Sequence, residues 1–124
     1  MPNNNEKSKS DLKKRAYFYA LDIIKLIDSV DKNDLSAQVI VKQLLRSATS
    51  VGANIIEAQA GSTKKDFTNF FSYALKSANE SKFWLGLLRD SGKSNRVDNL
   101  LQETTELANI LGSSILTLKG KRKF

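Results

Sequence analysis

Two stretches of the chain, separated by the polar turn Gly61-Ser62-Thr63, repeat apolar residues with the period of a helix that buries one face. Before the turn the apolar positions are Leu44, Leu45, Ala48, Val51, Ile55 and Ile56, and after it they are Phe67, Phe70, Phe71, Ala74, Ala78, Leu85 and Leu88. Because the turn is short, the two helices must fold back on each other. The sequence therefore predicts an antiparallel helical hairpin.

A further helix is predicted on each side of this hairpin. The first runs from about Asp11 to Val30, and its expected buried face is Ala16, Ala20, Ile23, Ile24, Ile27 and Val30. The last opens at Ser94 or Asn95, and its apolar residues repeat about every 3.5 positions as far as Leu118. The only proline is Pro2, so nothing in the body of the chain forbids long helices.

The ends of the central helices carry capping signals. Asp34 or Ser36 is expected to cap the second helix, and Thr63 with Asp66 has the spacing of a capping box for the third. Gly92 suits the left-handed residue that ends a helix. Four helices with short loops favour an all-α, up-down-up-down four-helix bundle. We expect residues 1–10 to be a flexible polar lead-in, residues 11–118 the bundle, and residues 119–124 a basic tail.

A stripe of polar residues runs along the predicted hairpin. Arg46, Ser50, Asn54 and Glu57 share one side of the second helix, and Ser77 and Glu80 lie three apart on the third. If the turn centres on Ser62, Arg46 lies level with Glu80, and we predict an ion pair between them. The alternative is that each is an ordinary solvated charge. We interpret the following polar residues as structural: Arg46, Asn54, Glu57, Ser77 and Glu80.

The polar pattern of the hairpin resembles a known family. It consists of Asn54-Ile55-Ile56-Glu57, then Lys65-Asp66-Phe67, then Ala74, Ser77 and Glu80, with Arg46-Ser47 as the lead-in. This pattern is similar to the bacterial four helix bundle protein family, which includes the 23S rRNA-intervening sequence proteins and the accessory variability determinant of diversity-generating retroelements. The chain departs from that pattern at three positions, because Ala58 and Ala60 stand where glycine is usual and Gly61 where arginine is common.

Aromatic and leucine residues outside the predicted core indicate self-association. The third helix carries Tyr73, Leu75, Phe83, Trp84 and Leu87 besides its buried face, and the first offers Tyr17, Phe18, Tyr19 and Leu21. Patches of this kind on a small domain favour an oligomer. The alternative is a wide core helix with scattered exposed aromatics. The resemblance adds a specific expectation, a homopentameric ring.

The basic residues are placed unevenly along the chain. The net charge is +7, and the excess lies before Ala16 and after Leu118, while the body between them holds equal numbers of acidic and basic residues. In an up-down-up-down bundle both termini and the turn at Ser62 lie at one end, which we expect to be basic. Clustered cations are typical of a polyanion partner, RNA or DNA. The candidate nucleic-acid-binding residues are Lys7, Lys9, Lys13, Lys14, Arg15, Lys64, Lys65, Lys119, Lys121, Arg122 and Lys123.

The sequence lacks the residues that several classes of function require. The chain has no histidine and no cysteine, which removes the commonest general base, metal ligand and thiol nucleophile. No phosphate-binding glycine loop is present. We therefore predict no catalytic activity, no metal and no cofactor. No apolar run reaches the length of a membrane span, and the N-terminus lacks a signal-peptide core, so a cytoplasmic location is expected.

Two functions remain open from the sequence. The first is an oligomeric nucleic-acid-binding accessory protein; for a retroelement type, the resemblance implies binding to a reverse transcriptase and template RNA. The second is a protein–protein scaffold of the intervening-sequence type, in which the charges serve solubility. The sequence leaves open which type applies and whether RNA or DNA is preferred.

Overall fold

The computed structural model describes residues 4–120, with side chains from residue 12 onward. Helix α1 spans Asn4–Ser29, α2 Leu35–Ala60, α3 Lys64–Asp90 and α4 Asp98–Leu118. Within these residues each helix packs on its neighbours around the bundle, most extensively α2 on α3 and least α1 on α4. The predicted all-α four-helix bundle is confirmed.

The first helix begins earlier than predicted, at Asn4 instead of Asp11. Neither glycine nor proline lies between these two positions, so nothing in the sequence interrupts the helix. Part of the expected flexible lead-in, residues 4–10, therefore falls within α1, and residues 1–3 lie outside the described residues.

Three of the predicted caps are present. The Asp34 carboxylate accepts a hydrogen bond from the Ala37 amide, and the Thr63 hydroxyl accepts one from the Asp66 amide. Gly92 follows α3 with a φ of 75°, the left-handed conformation that glycine adopts without steric cost.

The predicted start of α4 at Ser94 or Asn95 is wrong. The helix begins at Asp98 after Val97, which makes no side-chain capping bond. The amides of Lys93 and Ser94 both donate to the Leu88 carbonyl, and this closes the turn after α3. Val97 is then buried in the core. The loop is held by the end of α3 and by this apolar anchor instead of by a polar cap.

The face that α1 buries differs from the prediction at five positions. Leu12, Tyr19 and Leu26 are buried with the expected Ala16, Ile23, Ile27 and Val30, whereas Ala20 is half-buried and Ile24 is exposed. The helix is therefore rotated so that Tyr19 points inward, where it finds a hydrogen-bond partner on α4. Leu45 and Ile56 of α2, also expected inside, are exposed.

Candidate functional site

The predicted ion pair between α2 and α3 is present. The Arg46 guanidinium pairs with the Glu80 carboxylate, and its Nε donates to Gln43 Oε1 at 3.0 Å. Glu80 also accepts a hydrogen bond from the indole nitrogen of Trp84 at 2.9 Å. One carboxylate therefore fixes a guanidinium and an indole on the surface of the α2–α3 hairpin.

The remaining polar positions of the stripe divide into two groups. The Ser77 hydroxyl donates to Ser50 Oγ at 3.1 Å, and the Asn54 side-chain amide donates to the carbonyl and hydroxyl oxygens of Ser50. Glu57 is exposed and makes no ion pair among the described side chains. The structure thus joins Asn54 and Ser77 to the hairpin contact and leaves Glu57 at the surface.

A buried polar layer, not predicted from the sequence, crosses the centre of the bundle. It takes one residue from each helix: Tyr19, Ser47, Ser81 and Thr104, all almost fully buried. Tyr19 Oη lies 2.7 Å from Thr104 Oγ1, and Ser81 Oγ donates to Ser47 Oγ at 3.0 Å. Burial raises the pKa of the Tyr19 phenol, although its hydrogen bonds to Thr104 and Ser81 oppose the rise. The available signal was that Ser47, Ser81 and Thr104 each occupy a position on the apolar face of their helix.

The basic residues predicted to gather at one end are divided by the structure. Arg15 pairs with Glu103 (Nη2–Oε1 2.5 Å) and with Glu106 of α4. Glu103 precedes the end of α4 at Leu118 by 15 residues, which is roughly 22 Å of helix. Lys13, Lys14 and Arg15 therefore lie at the middle of the bundle, because α1 extends further toward the N-terminus than predicted.

Three predicted lysines do occupy the expected end. Lys64 and Lys65 open α3 and Lys119 follows α4, so the antiparallel order places all three together, and all are exposed. None makes an ion pair with another described side chain. The side chains of Lys7 and Lys9, and residues Lys121, Arg122 and Lys123, lie outside what the structure describes.

The charges at the opposite end of the bundle pair with one another. Lys93 Nζ lies 3.3 Å from Asp34 Oδ2 and so joins the two turns there, and Arg89 pairs with Asp90 and Asp98. The amide of Ala37, and then Lys93, lower the pKa of the Asp34 carboxyl.

An open groove of about 560 Å³ lies between α1 and α4, the two helices that contact each other least. Phe18 and Leu100 form its apolar part, and Lys14, Asp22, Asn99 and Glu103 supply polar groups around it. The sequence does not predict this groove, because periodicity within one helix carries no information about how tightly two helices meet.

The aromatic residues outside the core are exposed to different degrees. Tyr17 is 64% exposed, Phe18 60%, Phe83 58% and Tyr73 51%. Trp84 and Leu75 are half-buried against the core, and Tyr19 is inside it, contrary to the expectation that it lies in a surface patch. Large aromatic surface is therefore available on α1 and on α3.

Neither a metal-binding cluster nor a membrane-spanning helix is found among the described residues. Among residues 4–120 no group of three His, Cys, Asp or Glu side chains is arranged to hold a metal ion. Over the same residues no helix combines the length and apolar character needed to cross a bilayer.

Comparison with known proteins agrees with this architecture. The sequence model of the family described as 23S rRNA-intervening sequence protein matches residues 8–113. A crystal structure of a protein of unknown function from the S23 ribosomal protein family, from Bacteroides thetaiotaomicron VPI-5482, is 35% identical in sequence with a TM-score of 0.79. The match covers 86% of this chain and 96% of that one. No curated protein sequence matches.

Proposed function

The chain belongs to the 23S rRNA-intervening sequence protein family, and on this premise we propose that it is a non-enzymatic, oligomeric accessory protein that binds nucleic acid. The observation that carries the proposal is the placement of exposed Lys64, Lys65 and Lys119 at one end of the bundle. In the sequence, Lys119 is followed by Lys121, Arg122 and Lys123. Cations without acidic partners attract phosphates and release counterions on binding.

The interior of the bundle supports a role without catalysis. Nucleophilic use of a serine needs an adjacent base, and the chain has no histidine. The hydroxyls of Ser47, Ser50, Ser77 and Ser81 instead bond to one another and to backbone carbonyls. These contacts fit polar residues that hold α2 and α3 together.

The oligomer in this proposal is a homopentameric ring built through the exposed aromatic surface of α3. Phe83 packs edge-to-face on Trp84 with ring centroids 4.9 Å apart, and Glu80 holds the indole of Trp84. A fixed aromatic patch of this kind loses little side-chain entropy on binding. In a ring, the lysine-rich ends of the subunits would collect on one rim and multiply the charge that faces a polyanion.

We also propose a specific partner for this chain. If the chain is the retroelement type, the ring binds a reverse transcriptase and its template RNA in the cytoplasm. This part rests on the similarity of the hairpin motif alone, and binding of purified chain to purified reverse transcriptase tests it.

Size-exclusion chromatography with light scattering tests the proposal with a short RNA and a DNA duplex at low and near-physiological salt. We expect a multimer whose mass increases when nucleic acid is added at low salt and increases less at near-physiological salt. Lys64→Glu with Lys65→Glu, or removal of residues 119–124, should abolish the rise. Lys42→Glu with Lys76→Glu is the matched control, since both lysines are exposed but lie away from that end.

A second candidate, a protein–protein scaffold, is favoured by the same aromatic patch on α3. It predicts a multimer that ignores nucleic acid at low salt. A partner bound through Phe83 and Trp84 would stay bound as salt is added, because apolar contacts are not screened by ions.

A further inference from the structure

The outward face of α1 carries an exposed aromatic pair between two exposed lysines. The rings of Tyr17 and Phe18 meet edge-to-face with centroids 5.9 Å apart. Lys14 precedes Phe18 by four residues and Lys25 follows it by seven, so the three side chains share one stripe of the helix. The two lysines are separated by roughly 16 Å along the axis. The exposed Asp22 lies on the same stripe between Phe18 and Lys25. One continuous face therefore displays an aromatic surface with a cation on each side and one carboxylate.

Phe18 is also part of the groove between α1 and α4. The groove combines this ring and Leu100 with the side chains of Asp22, Asn99 and Glu103. Amide and carboxylate groups of this kind recognise the edges of nucleobases: an asparagine can both donate and accept, and a carboxylate accepts from exocyclic amines. The volume of about 560 Å³ lies in the range of sites that hold small organic ligands.

Charges of both signs lie in this region. Lys14, Asp22 and the Arg15–Glu103 ion pair line the groove, and Lys25 lies beyond it on the exposed stripe of α1. Asp22 makes no ion pair with another described side chain, so its carboxylate favours a base beside it over a phosphate, whereas Lys14 and Lys25 attract phosphates at the exposed face. A duplex presents its phosphates first and keeps its bases stacked on one another, so it fits this arrangement poorly.

We propose that the groove between α1 and α4 binds an unpaired nucleotide of single-stranded RNA or DNA, with its base stacked on Phe18. The neighbouring phosphates lie against Lys14 and Lys25, and Asn99 and Asp22 contact the base edge. This site rests on the proposed nucleic-acid binding and adds to it a preference for unpaired strands, at a place separate from the lysines at the end of the bundle.

Fluorescence anisotropy with a labelled oligocytidine, whose bases carry an exocyclic amine, and with a labelled RNA duplex of the same length tests the site. Phe18→Ala should weaken binding of the single strand about tenfold or more, since stacking on one aromatic ring contributes an effect of that order. Binding of the duplex should change by less than about twofold. Phe18→Tyr should retain single-strand binding, because it keeps the aromatic ring. Leu35→Ala is the matched control, because Leu35 is an exposed apolar residue at the start of α2, outside both aromatic surfaces.

Two results of this experiment would overturn the site and spare the broader proposal. One is unchanged single-strand binding by Phe18→Ala while duplex binding persists. The other is a fall in the oligomeric mass of Phe18→Ala, measured on the same samples by light scattering, which would assign the face to a second copy of the chain. If the parent protein binds neither probe at low salt, the proposed function fails together with the site. Circular dichroism of each variant checks folding, which a change at a largely exposed ring should leave intact.

Discussion

The hydroxyl of Tyr19 on α1 lies 2.7 Å from the hydroxyl oxygen of Thr104 on α4, at the seam where these two helices otherwise touch least. Thr104 Oγ1 also donates to the Leu100 carbonyl, and Ser81 completes the surroundings of the phenol. A buried hydroxyl bonded on both sides holds α1 at one rotation about its axis. It also explains why Tyr19 is buried while Ala20 is half-buried and Ile24 is exposed.

Replacement of Tyr19 by phenylalanine should lower the free energy of unfolding by about 1 kcal/mol, the net value of a buried hydrogen bond. The ring keeps its packing, but Thr104 loses one partner. Urea denaturation measures the change. Tyr73→Phe is the control, because Tyr73 is half-exposed and should show almost no effect. Equal stability of the two variants would mean that the phenol does not hold α1.

The same residue gives a pH dependence. Burial raises the pKa of Tyr19 above its unfolded value of about 10. The neutral phenol therefore stabilises the fold fully below about pH 10, and this contribution is lost as the pH rises through the folded value. Thermal melts between neutral and strongly alkaline pH should show a smaller alkaline loss in Tyr19→Phe than in the parent. Parallel pH profiles for the two proteins would contradict the assignment.

Exchange of the paired charges Arg46 and Glu80 tests the hairpin contact. Arg46→Glu should destabilise the fold and Glu80→Arg added to it should restore part of the loss, with a coupling energy of about 0.2–1 kcal/mol, because both side chains are partly exposed. A double-mutant cycle by chemical denaturation gives the coupling. Fluorescence of Trp84, which donates to Glu80, reports the local geometry independently. A coupling of zero at low salt would show that the pair adds nothing.

Two glycines should respond in opposite directions to alanine. Gly86 lies inside α3, and a methyl group there would meet no atom within 4 Å, so Gly86→Ala should stabilise the protein by about 0.5–1 kcal/mol. Gly92 has a φ of 75°, so Gly92→Ala should destabilise by about 1–2 kcal/mol. Melting temperatures of the two variants check the signs, and a loss in Gly86→Ala would point to an unseen neighbour of that face.

Acid should weaken the cap of α2. The Ala37 amide and Lys93 lower the pKa of the Asp34 carboxyl. The stabilisation that the ionised carboxylate gives the fold is therefore present above about pH 4 and is lost as the pH falls through the folded value. Asp34→Ala should lower the melting temperature at neutral pH and approach the parent at strongly acidic pH. Asp31→Ala is the control in the same loop, since Asp31 bonds only locally, to the Asn33 amide. A difference that persists in acid would contradict this role.

The fold could be predicted because its determinants are local. The apolar period of α2 and α3, the caps at Asp34 and Thr63, and the left-handed Gly92 are each readable within a few residues. The level of Arg46 with Glu80 also follows from the position of the turn alone. The start of α4 was missed because buried Val97 and the Leu88 carbonyl set it, and both are tertiary features.

The candidate site was less predictable for a related reason. The position of Lys13, Lys14 and Arg15 along the bundle depends on how far α1 extends past α4. The ion pair between Arg15 and Glu103 shows that they lie at the middle, and this contact exists only in the folded structure. The groove beside Phe18 depends on the loose seam between α1 and α4. Composition shows where the basic residues lie along the chain, but it does not show where they lie along the axis of the bundle.

The loose seam also has a consequence for how the molecule opens. α2, α3 and α4 share the most extensive contacts, so they form the most stable cooperative unit, while α1 rests mainly on α2. Under native conditions the amides of α1 should exchange with solvent through partial opening, ahead of global unfolding, and those of α3 only with it. During folding, α1 would dock last onto a preformed three-helix unit, so the groove beside Phe18 would be the last feature of the bundle to form.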